Sequence, residues 1–206
     1  PSLNDITSRV VTIDDLRNVE TTDLLARTTV APNQKLLSAC ITNKKILVTG
    51  AGGSIGSELC RQVLTLNPVL IVLFEHSEIN LYKINTKLAS LCTSTGSKVK
   101  IIPVLGSITN KQRVENVIKN FAIDTIYHAA AYKHLNLIEN NIKEGVLNNI
   151  FGTFILAQAA LDLKVEKFIL ISTDKAVHPT SIMGATKRIA ELIIQGLAQR
   201  KSVEQA

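Results

Sequence analysis

The stretch KKILVTGAGGSIG, residues 44–56, contains an apolar run that is followed at once by a turn with spaced glycines. Its first part, residues 44–50, predicts a buried strand, and the apolar spacing of residues 54–66 predicts a helix. A glycine-rich turn between a strand and a helix is typical of sites that bind dinucleotide phosphates. The stretch therefore predicts the first βα unit of a nucleotide-binding α/β fold.

The glycines of this turn have separate uses in such a site. Gly50 permits the tight turn, Gly53 lets the backbone approach a pyrophosphate, and Gly56 lets the helix pack close to the strand. The helix begins at Ser54 and Ile55, where N–H groups and the positive end of the helix dipole attract phosphate.

An acidic residue at the end of the second predicted strand supports the same site. Glu75 follows Gly56 by 19 positions, a spacing at which a carboxylate accepts the ribose hydroxyls of NAD and repels the 2′-phosphate of NADP. His76 and Ser77 would tolerate NADP, so the predicted cofactor is NAD, with NADP as the alternative. The competing interpretation is a structural turn with a solvated glutamate.

Strands and helices alternate along the chain outward from this stretch. The alternation predicts a Rossmann-like, doubly wound parallel sheet of order 3-2-1-4-5, with room for further strands. Residues 1–43 are predicted to be an N-terminal arm or linker, with short helical pieces at 13–19 and 22–27, and residues 44–206 the nucleotide-binding domain. Strands are predicted at 44–50, 69–75, 98–106, 124–130 and 166–172, and helices at 54–66, 78–91, 110–120, 135–141, 143–163 and 182–200.

Length and composition limit the class of protein. The 206 residues suffice for one sizeable core, and 46% of them are hydrophobic, which indicates a globular chain. Scattered lysines, few aromatic residues and no Trp argue against a nucleic-acid surface. The three cysteines have no metal-ligand or redox spacing, which suits a reducing cytoplasm.

A second candidate site follows the fifth predicted strand. The apolar run 168–171 leads into STDK, residues 172–175, and Lys187 follows Lys175 by 12 positions on a segment with helical spacing. Strand ends of open α/β sheets are where ligands bind, so an acid, hydroxyls and two lysines there predict proton transfer. The alternatives are an exposed Asp–Lys pair and a solvated helix lysine.

Four longer strings resemble one enzyme family. They resemble extended short-chain dehydrogenase/reductases and, most specifically, the nucleotide-sugar 4,6-dehydratases of bacterial polysaccharide biosynthesis. The resemblance implies NAD-dependent 4,6-dehydration of UDP-N-acetylglucosamine to a UDP-4-keto-6-deoxy sugar, and it covers residues 44–191. The strings are VTGAGGSIGSELCRQ (48–62), LFEHSEINLY (73–82), HAAAYKHLNLIE (128–139) and STDKAVHPTSIMGATKRIAE (172–191).

The resemblance implies a catalytic role for each residue after the fifth strand. Asp174 would be the acid and Lys175 the base of the elimination, while Thr173 or Ser172 would bond the C4 oxygen of the sugar. Lys187 would hold the nicotinamide ribose. Asp174 is then expected to be partly desolvated, and Lys175 to lie near a second cation, Lys187.

Met183 departs from the pattern of the wider family. Short-chain dehydrogenase/reductases of the extended type have a tyrosine four positions before this lysine, where the present chain has Met183. Because a thioether cannot transfer a proton, Met183 is expected to pack against the cofactor or sugar. The C4 proton then has three open routes: through Thr173 and Lys187, through Asp174, or through water.

The resemblance assigns further residues around the fourth strand. It implies that Ala129, Ala130 and Asn149 bind the cofactor and that Lys133 and His134 lie on the substrate side.

The resemblance also implies properties of a longer protein. The methionine variant is similar to a large, membrane-anchored branch, in which a linker precedes the catalytic domain. A parent protein in the bacterial inner membrane, with this domain in the cytoplasm, is therefore expected. Much of the C-terminal lobe that binds the UDP-sugar would follow residue 206, so the chain alone is expected to be inactive. A homo-oligomer is one expected assembly.

Two other functions stay open from the sequence. One is a UDP-sugar 4-epimerase with the same fold and cofactor, which the adjacent Asp174 and Lys175 and the missing tyrosine disfavour. The other is a catalytically silent nucleotide-binding module, which Met183 supports and the intact Lys187 weighs against.

Overall fold

A sheet of five parallel strands forms the centre of the computed structural model, which describes residues 33–204. The strand order β3-β2-β1-β4-β5 confirms the predicted doubly wound α/β fold. Every strand begins and ends within two residues of its predicted bounds. The strands are β1 (Lys45–Thr49), β2 (Leu70–Glu75), β3 (Lys100–Leu105), β4 (Thr125–His128) and β5 (Lys167–Leu170).

Helices cover both faces of this sheet. None of those in the described part of the chain is long and apolar enough to cross a membrane. The helices are α1 (Gln34–Ile41), α2 (Ser54–Thr65), α3 (Glu78–Thr95), α4 (Lys111–Phe121), α5 (Leu135–Glu139), α6 (Ile142–Val146), a π-helix (Leu147–Gly152), α7 (Thr153–Asp162), a 3₁₀ turn (Asp174–Ala176) and α8 (Ile182–Glu204).

The two cores follow from the alternation of side chains along the strands. In β1, Leu47 packs with residues of α4 and α7, while Ile46 and Val48 pack with residues of α1, α2 and α3 on the other face. All three side chains are almost fully buried. A central parallel strand covered on both faces needs this continuous apolar run, which is why β1 could be predicted from sequence.

The helical stretch predicted over residues 143–163 is present at 142–162, but it contains a π-helical turn that was not predicted. Helix α6 ends at Val146, a π-helical turn spans Leu147–Gly152, and α7 begins at Thr153. The wider turn contains Asn149, whose side chain hydrogen-bonds to the backbone N–H and carbonyl oxygen of Tyr132. The Thr153 hydroxyl donates to the Asn149 carbonyl oxygen at 2.7 Å. Such π-turns occur often at functional sites.

Helix α1 lies within the segment predicted to be an arm, and the sequence patterns did not predict it. Ile41 is 2% exposed and belongs to one of the two cores. The Thr125 hydroxyl of β4 donates to the Cys40 carbonyl oxygen at 2.8 Å. The helical pieces predicted at 13–19 and 22–27 lie outside the described residues.

Candidate functional site

Two adjoining cavities lie at the carboxyl ends of the strands, where the chain turns away from β1 and β4 in opposite directions. The first has a volume of about 140 Å³ and the second about 370 Å³; the second is within the range of about 300–1,000 Å³ that is usual for small-molecule sites. They share Ala129 and Ala131, so one elongated ligand can extend from one to the other. The position is the topological switch point of the sheet, where such folds bind ligands.

The glycine turn lines the first cavity. Gly50 has a φ of +63°, and a Cβ there would lie 2.7 Å from the Ala130 backbone. A Cβ on Gly56 would lie 2.0 Å from the Gly50 carbonyl oxygen, so α2 packs too closely for any side chain. A Cβ on Gly53 would meet only that same oxygen, at 3.3 Å. The turn itself therefore leaves space over Gly53, where the sequence predicts a pyrophosphate.

Glu75 joins the glycine turn to the end of β2. Its side chain is 4% exposed and accepts hydrogen bonds from the backbone N–H groups of Gly52 at 3.0 Å, His76 at 3.0 Å and Ser77 at 3.1 Å. It also lines the first cavity. His76 Nδ1 also lies 3.0 Å from Oε1. The carboxylate therefore fixes the turn, and Oε2, which accepts from Gly52, has a lone pair left for a ligand.

Further residues line the first cavity; of these, the sequence assigns His76 only a tolerance of NADP and predicts no role for Asn80 or Tyr132. His76 and Tyr132 line the cavity as an aromatic pair with ring centroids 6.3 Å apart. Ser107 also lines it, and its hydroxyl lies 2.8 Å from the Thr109 hydroxyl. Asn80, on α3, completes this set. Aromatic and amide side chains of this kind suit a purine and a ribose.

A buried histidine fixes the end of β4 between the two cavities. His128 Nδ1 lies 2.7 Å from the Thr49 hydroxyl, and its Nε2 lies 2.9 Å from the Thr153 hydroxyl. Because Thr153 donates to the Asn149 carbonyl oxygen, it accepts from Nε2–H, which leaves Nδ1 to accept from Thr49. Burial, with the nearby Lys187 charge, lowers the pKa of His128 to about 3. The ring is therefore a neutral structural element.

Asn149 connects the loop after β4 to α8. Its Oδ1 accepts from the Tyr132 N–H at 2.8 Å, and its Nδ2 donates to the Tyr132 carbonyl oxygen at 2.9 Å and to the Thr186 hydroxyl at 3.1 Å. Thr186 in turn donates to the Met183 carbonyl oxygen at 2.7 Å. The residue is 1% exposed, so the structure shows a buried brace, and direct contact with a cofactor stays a prediction.

The polar residues after β5 line the second cavity, with one exception. Ser172, Thr173 and Lys175 are lining residues. The Thr173 hydroxyl donates to Asp174 Oδ1 at 2.8 Å, and Lys175 Nζ lies 3.8 Å from the same oxygen. The Asp174 side chain is 81% exposed, so the expected partial desolvation is wrong for this structure. Asp174 is the first residue of the 3₁₀ turn.

Lys187 and Met183 form the α8 side of the second cavity. Lys187 is 8% exposed, and its Nζ donates to the Ile171 carbonyl oxygen at 2.8 Å. Burial lowers its pKa, and the Glu191 charge opposes that shift. Met183 is 3% exposed, which suits the expected packing role.

Lys133 and His134 complete the cavity on the side of the glycine turn. Lys133 Nζ donates to the Ser54 hydroxyl at 2.9 Å, at the first turn of α2. Both residues line the second cavity together with Ile55. The structure thus brings the predicted substrate-side residues and the predicted proton-transfer residues to one cavity, with the exception of Asp174.

Comparisons with known proteins show which family and which relatives this chain is similar to. The family model described as "Polysaccharide biosynthesis protein" matches residues 46–206. The chain is 45% identical to the capsular polysaccharide biosynthesis protein CapD of Staphylococcus aureus, over 98% of this chain and 33% of that protein. It is 30% identical to a UDP-N-acetylglucosamine 4,6-dehydratase (inverting) of Campylobacter jejuni, over 70% of this chain and 40% of that one.

A solved structure also matches this chain over only part of its own length. Pen from Bacillus thuringiensis superposes with a TM-score of 0.70 at 33% identity, over 79% of this chain and 47% of that chain. The chain therefore spans about a third to a half of the length of the proteins that it matches.

Proposed function

We propose, since the chain belongs to the polysaccharide biosynthesis protein family, that it is the nucleotide-binding part of an NAD-dependent nucleotide-sugar 4,6-dehydratase. The proposed substrate is UDP-N-acetylglucosamine and the proposed product a UDP-4-keto-6-deoxy sugar. One observation carries the proposal: Thr173, Lys175 and Lys187 share a cavity that adjoins the cavity of the glycine turn.

The residues of the first cavity fit NAD. The space over Gly53 is open to a pyrophosphate, and the buried Glu75 carboxylate can accept from ribose hydroxyls. A carboxylate at this position disfavours the 2′-phosphate of NADP, which we keep as the alternative cofactor. When bound, NAD would supply the redox chemistry of the reaction: it would accept a hydride from C4 of the sugar and return that hydride to C6. Gly50, Ser54, Ile55, Gly56, Ala129 and Ala130 are the other residues that we propose to surround it.

Thr173 and Asp174 are proposed to carry the proton that leaves the C4 hydroxyl. Thr173 lines the second cavity, and its hydroxyl already donates to Asp174 Oδ1 at 2.8 Å. When Thr173 Oγ1 takes the proton of the C4 hydroxyl, it gives its own hydroxyl proton to Asp174. The protonated Asp174 can pass this proton to the C6 oxygen, which leaves as water. Because this route does not involve Met183, it operates without the family's tyrosine.

Lys175 and Lys187 are proposed to have different tasks. The C5 proton becomes acidic once C4 is a ketone, and Lys175 lines the same cavity, so we assign it as the base. Lys187 is buried and donates to the Ile171 carbonyl oxygen. Its remaining N–H groups can hold the nicotinamide ribose, while Lys133 and His134 hold the sugar nucleotide from the opposite side.

The proposed function concerns a longer protein. Asp174 is 81% exposed in the structure, and elimination requires that water be kept away from it. Since the matched proteins are two to three times as long, we propose that other segments of the full-length protein cover this residue. A membrane-anchored parent and a homo-oligomer are part of the same proposal.

The test is the mass of the product that the full-length protein makes from UDP-N-acetylglucosamine. We expect loss of one water, and we expect Asp174→Asn or Lys175→Met to abolish it while Lys83→Met, an exposed lysine on α3, does not. A product of unchanged mass but altered C4 configuration would indicate a 4-epimerase. No conversion at all would indicate a silent nucleotide-binding module.

A further inference from the structure

Helix α8 holds the end of β5 by two contacts at consecutive residues. Lys187 Nζ donates to the Ile171 carbonyl oxygen at 2.8 Å, and Glu191 Oε1 accepts from the Ser172 hydroxyl at 2.6 Å. Lys187 and Glu191 are one helical turn apart, so their side chains lie on the same face of the helix. The next residue after these two contacts is Thr173.

Gly184 extends this face of α8 toward the other end of the same loop. A Cβ on Gly184 would lie 2.4 Å from the Lys175 carbonyl oxygen, so the helix approaches the loop too closely for any side chain. Gly184 is three positions before Lys187 and seven before Glu191, which places all three on one face. The helix therefore contacts residues 172–175 near both ends.

The Glu191 carboxylate is engaged at both oxygens. Arg188 Nη1 donates to Oε2 at 2.8 Å, while the Ser172 hydroxyl donates to Oε1. The Ser172 hydrogen bond and then Arg188 lower the pKa of Glu191, so the carboxylate is ionised at neutral pH and only accepts. Ser172 must therefore donate, which fixes its hydroxyl and leaves Thr173 as the hydroxyl directed at a ligand.

We propose that Glu191 is a positioning residue: its carboxylate holds Ser172, and through it the loop that carries Thr173 and Lys175, at a fixed place relative to Lys187. The inference rests on the proposed function, since a fixed distance matters for catalysis only if these groups react. The Arg188–Glu191 pair is partly exposed to solvent, with the two side chains 46% and 22% exposed, and such pairs contribute little to stability. Displacement of reacting groups by about 1 Å, in contrast, can cost about 100-fold in rate.

Kinetics of the full-length protein test the proposal. Glu191→Ala is expected to lower kcat by about 10- to 100-fold. The Kd for NAD should change by about twofold or less, because the glycine turn, Glu75 and Lys187 all remain in place. Glu191→Gln keeps an oxygen that accepts from Ser172 and is expected to restore most of kcat. Glu58→Ala removes another i,i+3 Glu–Arg pair, with Arg61 on α2, and is the matched control, with no expected change.

A double-mutant cycle identifies the path of the effect. Ser172→Ala should lower kcat as Glu191→Ala does, and the double variant should be no worse than either single one. Independent losses that add, or wild-type kcat in Glu191→Ala, would overturn the proposal. Parallel losses of NAD affinity, melting temperature and kcat would also overturn it, because they would show a merely structural role.

Hydrogen exchange separates this proposal from the proposed function. The amides of Ala176 and Val177 donate to carbonyl oxygens of Thr173 and Asp174, so their exchange reports on the loop. Glu191→Ala should speed their exchange about tenfold or more relative to Glu58→Ala, whether or not the protein turns over any sugar. Unchanged exchange would overturn the positioning role. Fast exchange in a protein without turnover would instead refute only the proposed reaction.

Discussion

Replacement of Gly53 by valine separates the cofactor site from the stability of the fold. Gly53 is the residue before α2, with φ −70° and ψ 168°, an extended conformation that any residue adopts. A Cβ there meets only the Gly50 carbonyl oxygen, at 3.3 Å. A side chain here therefore needs the Gly50 carbonyl oxygen to shift by only a few tenths of an ångström, and it would occupy the space where we place the pyrophosphate.

The two effects differ in size. Loss of glycine as the N-cap residue lowers the free energy of unfolding by about 0.5–1 kcal/mol. The reduced conformational freedom of the unfolded chain raises it again by about 0.4–1 kcal/mol. The melting temperature should then change by about 4 °C or less. Placing a branched side chain in the pyrophosphate position costs about 1–3 kcal/mol or more, which weakens NAD binding by roughly 5- to 150-fold.

Calorimetric titration with NAD and a thermal melt of each variant measure the two effects. Gly56→Ala is the first control, because its Cβ would lie 2.0 Å from the Gly50 carbonyl oxygen and should destabilise the fold itself. Gly96→Ala is the second, because it lies after α3 with φ +67° and should lower stability without changing NAD affinity. Unchanged NAD affinity in a folded Gly53→Val protein would refute the assignment of the pyrophosphate site.

Other predictions follow from the same geometry. Glu75→Gln keeps the size of the side chain and removes its charge, so the ratio of NAD to NADP affinity should fall; tighter binding of NADP by the unaltered protein would contradict our reading of Glu75. The pKa of His128 is about 3 in the fold and 6.5 ordinarily, so the unfolded chain takes up a proton first as pH falls. The free energy of unfolding should therefore drop by about 2 kcal/mol between pH 6.5 and 5, and urea titrations of His128→Asn should lack this part of the acid sensitivity. Residues 1–206 alone should bind NAD in calorimetry and give no product from UDP-N-acetylglucosamine; efficient turnover would place the whole sugar site within this chain.

Much of the fold could be predicted because an uninterrupted apolar run is typical of a buried strand, and spaced glycines after it are typical of a tight turn into a helix. The runs in β1 and β2 are buried on both faces, so each is uninterrupted and easily recognised in the sequence. Gly50 and Gly56 are required by the close approach of backbone to backbone, and their position between a predicted strand and a predicted helix located the first cavity.

The features that escaped prediction depend on contacts between distant segments. The π-helix around Asn149 is set by Tyr132 and Thr186, which are 17 and 37 positions away. The exposure of Asp174 could not be predicted either, because the short 3₁₀ turn in which it lies has no periodicity that the sequence reveals. Glu191 could have been noticed, because an acid one helical turn after Lys187 lies on the same face, but its partner Ser172 could not.

The most direct test of the proposed reaction uses UDP-N-acetylglucosamine with deuterium on C4 and the full-length protein. A 4,6-dehydratase moves this hydrogen within the sugar, so NMR of the product should show deuterium on C6 of a 4-keto-6-deoxy sugar. Deuterium that is found again on C4, in a sugar that has kept its C6 oxygen, would contradict the account and indicate a 4-epimerase.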